Sequence, residues 1–136
     1  MKNSIRLGLI IFISILNIHC SNNKQRKVQK DLDGISVISP QDFKLKSVNH
    51  TIIDIRTPRE YGNGHIEGAI NINLFDNDFL NQLLKYDKEQ PIFIYCRSGN
   101  RTSTASKKMV NTGFKQVYDL QGGIKNWTKT NNKIVK

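Results

Sequence analysis

The residues in this chain best suited to chemistry are Cys96, Arg97 and Arg101, which stand together in the run CRSGNR at 96–101. A thiolate is a strong nucleophile, and guanidinium groups beside it select an anion and steady developing negative charge. Ser98 and Asn100 add hydrogen-bonding side chains, and Gly99 lets a short loop curve. The chemistry these types favour is attack by sulfur on an anionic substrate. The alternative, a cysteine serving as a small apolar core residue, fits poorly with two arginines among the five residues that follow it.

The flanking sequence supplies the elements that would position the run. Ile92, Phe93, Ile94 and Tyr95 follow Pro91 without a polar break, which predicts a strand covered on both faces of a parallel sheet. After Cys96 the chain turns polar, and Thr102 or Ser103 is the expected cap of a helix running through Ala105, Met109 and Val110 to Gly113. Loops at the carboxyl ends of parallel strands are where open α/β sheets bind ligands. Their backbone N–H groups form an anion nest, and the helix dipole adds positive potential. A free thiol of pKa about 8.5 falls to roughly 3.5–7.5 in such surroundings, so Cys96 is expected to be largely thiolate.

Two further stretches complete a pattern. IIDIRTPREYGNGHIEGAINI at 52–72 and LQGGIKNW at 120–127 flank the CRSGNR loop in order. With these motifs, from about Ile35 to Trp127, the chain resembles the rhodanese family of thiosulfate and persulfide sulfurtransferases. The resemblance implies that Cys96 carries the sulfur, that residues 97–101 bind the donor, and that no cofactor is needed. It implies a thiosulfate or persulfide donor and a thiol or cyanide acceptor, and a single domain that works as a monomer. Within it His65 and Ile66 pack beneath the loop as structural residues, and the acidic position of Asp54 pairs with a nearby arginine as scaffold. For Asp54 and Arg56 a direct influence on the cysteine proton is the other reading. Cysteine phosphatases and arsenate reductases resemble the site too, but their loops place five residues between cysteine and arginine, against Arg97 to Asn100 here. A noncatalytic persulfide carrier or interaction module is the rival from another class.

The expected fold is α/β, a three-layer rhodanese-like domain with a central parallel five-stranded sheet and helices on both faces. The predicted strands are Ile35–Ser39, Thr51–Ile55, Ala69–Ile72, the central run and Gln116–Leu120. Helices are expected over Gln41–Val48, from Pro58 through Tyr61, over Asp78–Leu84, after Cys96, and around Trp127, which reads as core. GNGHIEG at 62–68 is not a dinucleotide fingerprint, because its last spacing is a residue too long and it follows a helix.

The amino terminus reads differently. Lys2 and Arg6 precede an apolar run from Leu7 to Leu16, the charged region and short core of a secretory signal peptide over 1–19. The run is shorter than the ~20 residues of a spanning helix. Cys20 then opens a polar tether over 20–34, ahead of a domain over 35–136. A lipid-attachment cysteine of the bacterial lipoprotein type fits this place, although Asn17 and His19 depart from the usual signal; ordinary cleavage and an uncleaved anchor are the alternatives. Export to the periplasm, or anchoring to a membrane through Cys20, is therefore expected. With two cysteines in the chain, Cys96 would then have no disulfide partner. Potential soft ligands show no zinc spacing, so no metal is expected. The net charge of +10 suits anionic small molecules through steering. No nucleic-acid recognition motif accompanies it, and nucleic acid is not an expected partner.

Overall fold

A computed structural model of the protein describes residues 34–136. The expected leader, and Cys20 with nearly all of the tether, lie outside the described residues. Within them strands and helices alternate: β1 (Ile35–Ile38), α1 (Pro40–Lys46), β2 (Thr51–Asp54), α2 (Pro58–Gly62), β3 (Ile70–Asn71), α3 (Phe79–Leu83), β4 (Ile92–Tyr95), α4 (Asn100–Asn111), β5 (Val117–Leu120) and α5 (Gly123–Lys129). The five strands form one sheet in the order β1-β5-β4-β2-β3, with every pairing parallel. The α/β fold expected from the sequence is the one observed.

β4 sits at the centre of the sheet, and all four of its residues are buried. Alternation along the strand divides them between two cores. Ile92, Ile94 and Cys96 join Phe79 and Leu83 of α3 and Ala105 and Met109 of α4 on one face. Phe93 and Tyr95 join Phe43 of α1 and Ile124 and Trp127 of α5 on the other. Each fully buried aliphatic or aromatic side chain contributes about 1.5–3 kcal/mol of transfer free energy, so the strand that ends at Cys96 is the best-anchored part of the sheet. Trp127 is core, and its indole N–H donates to the Lys133 carbonyl at 2.9 Å.

Local chemistry sets the helix ends. Pro58 opens α2 behind a capping box in which Thr57 and Glu60 serve each other's backbone N–H groups. The helix after Cys96 departs from expectation. Neither Thr102 nor Ser103 caps it; α4 begins at Asn100 with Gly99 as the capping residue at φ 96°. The Thr102 hydroxyl donates to the Gly99 carbonyl at 2.8 Å instead of accepting from a backbone N–H. Glycine alone holds that left-handed conformation without strain, so the chain enters the helix earlier and the loop is shorter. β3 is also shorter than the expected Ala69–Ile72, because the Ala69 N–H is taken by the Ile66 carbonyl at 3.0 Å in a tight turn.

Candidate active site

Cys96 lies where β4 runs out beneath the first turn of α4, 1% exposed. Its Sγ accepts from the Gly99 backbone N–H at 3.1 Å and lies 3.9 Å from the Thr102 hydroxyl. The far side of the loop is held by α5, whose Ile124 and Lys125 N–H groups donate to the carbonyls of Cys96 and Arg97 at 2.9 and 3.1 Å. The approach needs glycine at 123: a Cβ there would stand 2.5 Å from the Cys96 carbonyl oxygen and 2.7 Å from the Ser98 nitrogen. The GGI of the third motif is thus the clamp on the first-named loop.

The arginines differ in their engagement. Arg101 makes a two-point ion pair with Glu60 of α2, at 2.8 and 2.7 Å. Arg101 is raised above its ordinary value, first by its hydrogen bond to Glu60 against the opposing cost of burial, and further by the charge and hydrogen bonding of the nearby Cys96 sulfur. The same bond from Arg101 holds Glu60 down at about 2. Arg97 is exposed and lines a cavity of about 300 Å³ with Glu60, Ile124, Lys125, Thr128 and Ile134. Neither Arg97 nor Lys125 has a side-chain partner among the described residues. Ser98 and Asn100 are exposed on the loop.

The remaining sequence candidates form a scaffold. Asp54 is 0% exposed and Arg56 is 5% exposed; they join through contacts of 2.6–3.0 Å, and Arg56 also donates to the Gly64 carbonyl at 2.7 Å. The buried pair therefore pins the turn between α2 and β3 to the end of β2. Tyr95, one residue before the cysteine, accepts from the Ile66 N–H at 3.0 Å. Burial, with the nearby Asp54 charge adding to it, raises its phenol so that it stays protonated. The His65 ring stacks on Tyr61 at 3.8 Å, with Nδ1 3.2 Å from the Tyr61 carbonyl, and its backbone bridges to Val135. None of these His65 contacts involves Cys96.

The sequence does not show the part that Glu60 and Thr102 take in the site. Glu60 carries a local signal, the Thr-x-x-Glu spacing of a capping box, but that spacing points to α2 and not to a residue 41 positions later. Thr102 reads in the sequence only as a helix cap.

A family model described as a rhodanese-like domain matches residues 39–130. The chain is 31% identical over 120 residues to the uncharacterized protein YqhL of Bacillus subtilis, covering 88% of this chain and 89% of that one. It is 34% identical over 95 residues to the thiosulfate sulfurtransferase GlpE of Ectopseudomonas mendocina, across 68% of this chain and 84% of that protein. Among solved structures, a rhodanese-related protein from Thermoplasma volcanium superposes with a TM-score of 0.65 at 24% identity, over 73% of this chain and 96% of that one. That last likeness is one of fold.

Proposed function

The chain belongs to the rhodanese-like domain family, among relatives that include thiosulfate sulfurtransferases, and from that premise we propose that it moves a sulfane sulfur through a persulfide on Cys96. The observation that carries the reading is the Gly99 N–H held 3.1 Å from a cysteine sulfur that an exposed arginine follows in the chain. A backbone donor fixed at that distance stabilises negative charge on sulfur without reorganising.

The proposed cycle is a double displacement. Cys96 thiolate attacks the outer sulfur of thiosulfate; the new S–S bond forms as the bond to the sulfonate sulfur breaks, and sulfite leaves with the electron pair. The terminal sulfur of the persulfide lies in the loop, where the Gly99 N–H already donates to Sγ. A thiol or cyanide then attacks that sulfur, and Cys96 departs as thiolate. Arg97 and Lys125 at the cavity mouth attract the anionic donor, aided by the +10 charge of the chain. Arg101, tied to Glu60, supplies positive potential near the sulfur while its fork stays occupied. Thiocyanate formation from thiosulfate and cyanide tests the reading: turnover is expected for the wild type and none for Cys96→Ser.

We place the domain outside the cytoplasm on a lipid-modified Cys20, on the strength of the leader sequence. Metabolic labelling with an alkynyl fatty acid that persists in Cys20→Ala would refute this.

A further inference from the structure

β5 carries a carboxyl group where its neighbours are apolar. Val117 and Leu120 are fully buried, and Asp119 between them is only 5% exposed. The register sets Asp119 beside Val37 of β1 and Ile94 of β4. Cys96 lies two residues beyond Ile94 and shares its face of the sheet. The carboxyl is therefore a diagonal neighbour of the cysteine, in the layer covered by α4. Among the described residues its Oδ1 has no hydrogen-bond partner, and the side chain that stabilises its charged form is that of Thr102.

Thr102 has a single hydroxyl proton and several takers. The Gly99 carbonyl holds it at 2.8 Å, the Cys96 sulfur is 3.9 Å away, and the Asp119 carboxylate competes for it. The bond to Gly99 matters, because the N–H of that same residue donates to Sγ at 3.1 Å. Whichever group takes the Thr102 proton decides whether Gly99 is tied down at both ends.

We propose that Asp119 is a positioning residue for sulfur transfer and acts as the neutral acid. Protonated, it donates to Thr102 Oγ1, so the Thr102 proton stays on the Gly99 carbonyl and the Gly99 N–H stays on Sγ. Ionised, it accepts from Thr102 instead; the hydroxyl turns away from Gly99, and a second negative charge stands behind a sulfur that must attack an anion. The step exchanges one proton between the carboxyl and solvent, and no bond to sulfur changes.

Two observations support the neutral form. An orphaned oxygen costs less free energy in a neutral acid than in a carboxylate. Burial pushes the Asp119 carboxyl up to about 7, with the Thr102 hydroxyl pulling the other way and no charged group contributing. Around it stand Val37, Ile94 and Thr102, with Cys96 diagonal to it on the same face of the sheet.

The activity test rests on the sulfurtransferase reading, so a readout independent of activity accompanies it. In single-turnover loading by thiosulfate, the wild-type rate is expected to fall about tenfold from about pH 6 to about pH 8. The Asp119→Asn amide donates to Thr102 at every pH, so that variant should match the wild-type rate at the acid end and lose the fall. Asp119→Ala removes the rival acceptor altogether, so it too should lose the fall. A fall with pH in either variant like that of the wild type would overturn the proposal. Independently, the Gly99 amide resonance should titrate near neutrality in the wild type and not in Asp119→Asn. Identical titrations in both would overturn it even if no variant loads sulfur, an outcome that would count against the sulfurtransferase reading alone.

Discussion

Glu60 and Arg101, 41 residues apart in sequence, meet in a two-point ion pair beside the cysteine loop, at 2.8 and 2.7 Å. The pair joins the capping box of α2 to the first turn of α4. It also partly neutralises a cation that interacts with the Cys96 sulfur. Glu60→Gln should therefore lower the KM for thiosulfate severalfold at low ionic strength, with little change in kcat. The effect should fade as salt screens the freed arginine. A raised KM at every salt concentration would mean that the pair's role is to hold Arg101 in place. The pair is partly exposed, with side chains 22% and 30% accessible, so its loss should cost no more than ~1 kcal/mol of stability.

The Asp54–Arg56 pair should behave in the opposite way. Both groups are buried, and the Arg56→Met variant leaves a carboxylate with no counter-ion at the end of β2. Removing one partner of a buried pair costs about 3–5 kcal/mol, whereas replacing both with apolar residues is often nearly neutral. Urea unfolding should thus find the double variant Asp54→Leu, Arg56→Met more stable than Arg56→Met alone. Equal losses would show that the Arg56 bond to the Gly64 carbonyl, and not charge pairing, dominates.

Asp119 should leave a mark on stability as a function of pH. Its folded-state value, raised by burial to about 7 from an ordinary 3.8, means that the folded chain holds a proton which the unfolded chain releases. That preference is fully present below about pH 4 and is lost as pH rises through about 7, at about 1.4 kcal/mol per unit. Asp119→Asn should accordingly match the wild type in acid and exceed it by a few kcal/mol at about pH 8. A stability gap that does not change with pH would refute the assignment.

Much of this architecture is legible in the sequence because it is written in local patterns. The unbroken Ile92–Tyr95 run and the helical spacing of Ala105 and Met109 mark β4 and the body of α4, though not the residue at which α4 starts. What the sequence hides is tertiary. Gly99 reads as a loop residue, and only the fold shows it capping α4 while donating to sulfur. Glu60 satisfies its local signal completely, so nothing in its surroundings points to Arg101. Asp119 reads as one polar residue in VYDL, and its meaning depends on the register that sets it diagonal to Cys96.

The central claim is that Cys96 cycles through a persulfide, and intact-mass spectrometry of the protein tests it most directly. The mass should rise by one sulfur atom on incubation with thiosulfate, return to its starting value on addition of cyanide with thiocyanate released, and stay unchanged throughout in Cys96→Ser. An unmodified wild-type mass after both thiosulfate and a small-molecule persulfide, or an added sulfur that persists in Cys96→Ser, would contradict it.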